Sequence, residues 1–218
     1  MYSLLLKDVL ITKKTLPFAL LYTFFTIFAF QSMEMNYIAI GITITYILLL
    51  SSLGYDDKQD SDIMLNSLPI LRRKVVLAKY ISVFLYAGFA IVSYLLASTV
   101  VKLVGLSVPI YNISFFGVSA ILFVIGFLAS FYYPIIFKFG YLKSRIFNIF
   151  FFLLFFFIPS FVEKYFRQNP NNPLVMRTMD TLSNLSLSML SLYLFIITVV
   201  IMTISYLIAI NIYKRREF

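Results

Sequence analysis

The chain has 218 residues, of which 61% are hydrophobic, 19% aromatic and only 12% charged, and its net charge at neutral pH is +9. Soluble domains carry about 25% charged residues, so this composition belongs to a membrane protein. Cysteine, histidine and tryptophan are absent, which excludes a disulfide scaffold, any Cys/His metal site and an intramembrane metalloprotease.

The first fifteen residues, MYSLLLKDVLITKKT, set Leu4, Leu5, Val9 and Ile11 near Lys7, Lys13 and Lys14. They predict an amphipathic helix over residues 1–15 lying on the inner membrane face. The plainer alternative is a basic flank that only orients the first span. A cleavable signal peptide is not expected, because the first apolar run is longer than a signal core and lacks an A-x-A-like site after it. Six apolar runs follow: Leu16–Met33, Tyr37–Leu53, Tyr80–Val101, Ile113–Phe137, Ile146–Val162 and Leu190–Ile212. None contains Asp, Glu, Lys or Arg, and a spanning helix needs roughly 17–25 such residues. Their continuity lacks the period-two alternation of barrel strands. The fold class is therefore all-α integral membrane with six transmembrane helices, forming a single domain over residues 1–218.

Between the second and third runs lies a charged island, residues 54–79, GYDDKQDSDIMLNSLPILRRKVVLAK. Gly54–Asp60 reads as a polar turn. Asp62 is placed to cap a short helix carrying Ile63, Met64, Leu65 and Leu68, which Pro69 ends. Arg72, Arg73 and Lys74 then lead into the third run. The short helix has two possible seats, a groove on a partner protein or the lipid headgroups, and the residues alone leave both open. A calcium loop is excluded, because Asp56-x-Lys58-x-Asp60 puts a cation where an oxygen ligand is needed and Ser61 replaces the required glycine.

The fourth run is expected to end at Pro134 and the Lys138–Arg145 basic turn, and the fifth, dense in phenylalanine, to stop around Pro159. A second long connection, residues 160–187, places Phe161, Val162, Tyr165 and Phe166 and then Val175, Met179, Leu182 and Leu185 at near-helical spacing on either side of QNPNNP. This predicts short outer helices lying on or dipping into the far leaflet as a re-entrant segment, rather than a plain external loop.

Fourteen of the eighteen Lys and Arg residues fall on the side of the amino terminus, the island, the Lys138–Arg145 turn and the carboxyl terminus. By the positive-inside rule both termini and the island face the cytoplasm of a cell membrane. The net charge is spent on these flanks and on attraction to anionic lipid. It leaves no basic face for nucleic acid.

The seven glycines are never followed by lysine, so the phosphate loop of an ATPase is absent. No ionisable residue sits within a span, which argues against a self-energised ion-coupled transporter. The chain is expected to be non-catalytic, with no cofactor or metal of its own. Hydroxyls within the runs, such as Thr43, Thr45, Ser93, Ser98, Thr198 and Ser205, are expected to bond their own helices or their neighbours.

The run from Leu65 to Tyr80, LNSLPILRRKVVLAKY, resembles a segment of small ABC-2 type exporter permeases, which show LSLP-x-x-R-x-x-(I/V)-V-x-(A/G)-K-(Y/L) after the second helix. The opening Leu4-Leu5-Leu6-Lys7-Asp8 is similar to their amino-terminal start. The layout of six helices, inner loop and outer helices also resembles theirs, and is similar to permeases of peptide and antimicrobial exporters such as those for phenol-soluble modulins.

The resemblance implies the type V exporter fold. The amino-terminal segment would be a connecting helix, and the island a cytoplasmic coupling helix seated in a separate ABC ATPase. Asp62, Ile63, Met64, Leu65, Leu68, Pro69, Arg72 and Arg73 would make that coupling contact. Two ATPase subunits, holding ATP and Mg, would pair with this chain and a second copy or a sister permease. Helices two and five would line the route, making Tyr37, Thr43, Tyr46, Phe151 and Phe155 substrate-path candidates. The implied cargo is an amphipathic or hydrophobic peptide, with lipophilic antimicrobials second. Two readings from other classes compete: a non-pumping membrane immunity or scaffold protein, and a passive channel.

Overall fold

The computed structural model describes residues 2–31, 35–58, 64, 71–106, 108–170, 172–173, 175–177 and 184–215. Among these residues all the regular structure is helical, without strands. The long elements are α1 (Tyr2–Ile11, followed by a 3-10 turn Thr12–Lys14), α2 (Leu16–Ala29), α3 (Asn36–Lys58), α4 (Arg72–Val104), α5 (Phe115–Phe139), α6 (Tyr141–Gln168) and α7 (Leu187–Arg215). Four of them, α3, α4, α5 and α7, are long and apolar enough to cross a membrane. The chain is thus an all-helical membrane protein. The 14 residues of α2 reach only about 21 Å, short of a hydrocarbon core of roughly 30 Å.

Local chemistry sets several of the helix ends. Pro17 lies in the first turn of α2, where its missing N–H leaves nothing unpaired. α4 stops at Gly105, whose φ of 73° admits the left-handed cap, and Gly105 and Leu106 return their N–H groups to the carbonyls of Lys102 and Val101. Ser114 caps α5 by accepting the Gly117 N–H at 3.1 Å.

Three helices run further than the breaker residues suggest. α3 continues through Gly54 to Lys58, so the expected polar turn begins as helix. α6 passes Pro159 and takes in Phe161–Phe166 before ending at Asn169. α5 passes Pro134 without stopping. A helical proline cannot donate to the carbonyl four residues back, which here is Ser130. The Ser205 hydroxyl of α7 fills that position, donating to the Ser130 carbonyl at 2.5 Å. With its hydrogen so used, Ser205 accepts from the Tyr80 hydroxyl at 2.6 Å. A neighbouring side chain thus satisfies the freed backbone group, which is how prolines persist in membrane helices.

α4 is the hub, touching α1, α2, α3, α5 and α7, while the most extensive pairing is α5 with α7. Small residues permit this closeness. At Gly126 a Cβ would meet the Thr198 and Met202 side chains, and Gly117 lies directly beneath the Tyr37 ring. α6 is peripheral, with Leu142, Ile146, Phe150 and Phe161 all exposed.

Candidate functional site

The helices α1, α3 and α4 each bury a stripe that contains one charge. On α1 the inward residues are Leu4, Asp8 and Thr12, spaced by four. On α3 they are Leu48, Ser52 and the partly covered Asp56. On α4 they are Val76, Lys79, Val83 and Tyr86. The three stripes converge at the basic end of the bundle. Lys79 Nζ donates to Asp8 Oδ1 at 2.7 Å, to Asp56 Oδ2, and more weakly to Ser52 Oγ at 3.4 Å. Lys7 Nζ completes the group, 2.8 Å from Asp56 Oδ1 and 3.9 Å from Asp8 Oδ1.

Two cations and two carboxylates therefore form a neutral network. Its inner members are deeply covered, Asp8 at 1% exposure and Lys79 at 8%. Removing such charges from water costs several kcal/mol each, so mutual pairing is the condition of their burial. Tyrosines frame the network. Tyr86 reaches the Asp8 carbonyl at 3.4 Å, and Tyr133 of α5 donates to the Lys79 carbonyl at 3.0 Å. Beside it, the Arg72 guanidinium donates to the carbonyls of Tyr213 and Lys214 at 3.2 and 3.0 Å. A cation on the last carbonyls of α7 complements the negative end of that helix. The amino-terminal helix and the end of α7 thus meet the first turns of α4 on the same face of the bundle.

Among the described residues there is no group of three or more His, Cys, Asp or Glu that could hold a metal. What the network does is mechanical: it fastens α1 to α3 and α4 with directional, charge-assisted bonds.

The residues singled out in the sequence divide. Arg72, at the start of α4, is half-buried against the end of α7, while Arg73 is exposed. Met64 is helical and 55% exposed. Asp62, Ile63, Leu65, Leu68 and Pro69 lie outside the described residues, as do the side chains of Phe151 and Phe155. Tyr37 is in the core at 3% exposure, its hydroxyl 2.9 Å from Ser114 Oγ. Thr43 is half-buried and donates to its own Ala39 carbonyl at 2.8 Å, and Tyr46 packs against the core. Tyr37, Thr43 and Tyr46 thus share α3, and Tyr37 pins its start to α5. Sequence reasoning missed this grouping: it read Asp8 as part of the amino-terminal motif, Asp56 as part of a polar turn and Lys79 as flanking charge. Their signal was periodic: each occupies the inward position of an otherwise uncharged stripe.

The chain matches the family described as ABC-2 family transporter protein over residues 3–214, nearly its whole length. It belongs to that family. Neither a curated protein nor a solved structure matches it. Membership makes this chain a membrane-spanning permease subunit of an ABC transporter, a class that works with an ABC ATPase. In this ABC-2 chain the buried network stands where the island joins α3 and α4.

Proposed function

We propose that this chain is the permease half of an ATP-driven exporter, moving hydrophobic or amphipathic cargo, peptides foremost, outward by alternating access. Energy comes from ATP and Mg on a separate ATPase, since no phosphate-binding loop occurs in this sequence. The observation that carries the reading is the Lys79–Asp8–Asp56–Lys7 network. It ties the amino-terminal helix to both helices that flank the island, so a displacement delivered at either point moves α3 and α4 together. Residues 62–68, which the resemblance carried by the adjoining Leu65–Tyr80 run marks as the coupling segment, receive this displacement from the ATPase. Arg73 lies at its polar rim, and Arg72 links it to α7.

Six spans, with α2 and α6 added to the four long helices, set both termini in the cytoplasm of a cell membrane, in keeping with the positive residues clustered at that end. Six helices are too few to enclose a gated route for a large solute, so two permeases pair around it and two ATPases complete the complex. Between their charged ends the spans present Phe, Tyr, Ile and Thr, walls that suit apolar burial and aromatic contact rather than sugars or ions.

The test is ATPase stimulation and cargo uptake by the chain reconstituted in vesicles with its ATPase. Amphipathic helical peptides should stimulate, and replacing Met64 and Leu65 with Asp should leave insertion intact while uncoupling hydrolysis from transport. Stimulation by sugars or inorganic ions, with such peptides inert, would overturn the cargo assignment. A single-permease particle active in vesicles would overturn the pairing.

A further inference from the structure

The outer flank of α1 carries a second stripe, beside the one that buries Asp8. Lys7, Leu10, Ile11 and Lys14 recur at i, i+3, i+4 and i+7 and, with Leu6 and Lys13, form one wall of a groove of about 510 Å³. Tyr55 of α3 forms the other wall. Roughly 300–1,000 Å³ is the size of small-molecule sites. The groove is two-natured. Leu6 and Leu10 are exposed large apolar side chains, and Tyr2 and Val9 extend that exposed apolar surface along the helix. Lys13 and Lys14 are exposed as well, with no carboxylate within ion-pair distance among the described residues. Lys7 differs, since it is held by Asp56. A second cleft of about 430 Å³ lies on the far side of Tyr55, lined by Leu50, Leu142, Lys58, Asp57 and Arg145 among others.

We propose that the α1–Tyr55 groove is a binding site for an anionic phospholipid. Lys13 and Lys14 receive the phosphate, and Leu6, Leu10 and Ile11 bed the first acyl carbons. Charge complementarity selects the occupant: two exposed cations, without acidic partners among the described residues, sit beside exposed apolar side chains, the pairing that a headgroup with its acyl chains would match. An acidic protein surface would match the lysines but would leave the leucine side of the groove unused. The proposal needs only that the chain resides in a membrane, so it stands or falls separately from the export reading. Because Lys7 lines the same groove, the bound anion sits beside the network that fastens α1.

The experiment titrates the purified full chain in neutral detergent with phosphatidylglycerol or phosphatidylcholine and reads bound lipid by native mass spectrometry. Phosphatidylglycerol should bind in preference. K13Q/K14Q should weaken it roughly 30-fold, each surface cation being worth about a factor of five. K74Q/K143Q removes two cations outside the groove and should leave binding within about twofold, since attraction falls off within a Debye length. All four lysines are solvent-facing, so both variants should melt like wild type in lipid-free detergent. Equal loss in the two variants, or equal binding of phosphatidylcholine, would overturn the proposal. So would displacement by free glycerol phosphate as effective as by the lipid, which would mark a soluble-anion site. An ATPase that excludes phosphatidylglycerol from the wild type, and whose binding K13Q/K14Q abolishes, would assign the groove to a protein instead.

Discussion

Replacing Lys79 with Met is the sharpest probe of the buried network, because the two side chains are similar in length and only the charge is lost. In the wild type, Lys79 Nζ bonds both Asp8 and Asp56. In K79M the two carboxylates face each other with Lys7 as their remaining cation, and Lys7 lies 3.9 Å from Asp8. Breaking a buried pair by removing one partner costs about 3–5 kcal/mol. For a chain of this size each kcal/mol shifts the melting temperature by about 2–4 °C, so a fall of about 6–20 °C is expected. The assay is thermal unfolding in detergent or nanodiscs, run as a double-mutant cycle with Asp8→Asn. D8N/K79M should recover a large part of the loss, because the orphaned carboxylate is gone, giving a coupling of at least about 1 kcal/mol. A loss in K79M below about 1 kcal/mol, or strict additivity in the double variant, would refute burial of the network as the reason for its pairing.

Ser205→Ala leaves the Ser130 carbonyl without its donor and should cost about 1–3 kcal/mol in thermal unfolding. In the P134A background, where a backbone N–H returns to that carbonyl, the same change should cost much less. Gly117→Ala drives a methyl group into the Tyr37 ring and should destabilise by about 1–3 kcal/mol. Gly88→Ala meets no atom within 4 Å and should be neutral or slightly stabilising by the same assay, given alanine's helix propensity. Arg72→Gln loses the charged donor to the two terminal carbonyls of α7. Partial exposure limits its cost to about 1 kcal/mol, read as faster amide exchange confined to the last turn of α7.

Composition and the continuity of apolar runs were enough to specify a helical membrane protein. In a bilayer each backbone group must bond within its own helix or a closed barrel, so that constraint acts on each segment separately and is written locally. Helix α4 and helix α7 were legible in this way, and so was the ABC-2 character, through the Leu65–Tyr80 run and the overall layout. The breaker residues misled for the same local reason. Pro134 reads as a stop until Ser205, from another helix, is seen to take over the Ser130 carbonyl. Gly54 reads as a turn, yet α3 runs on through it to present Asp56 to Lys79.

Tertiary structure alone decided which charges are flanks and which are core. Lys13 and Lys79 are the same side chain, each just ahead of an apolar run, and both read as topology signals. One stays in water. The other is buried because Asp8, seventy-one positions away, and Asp56 arrive at the same point. Burial of a charge depends on partners supplied by other helices, and that information exists only once the helices have packed.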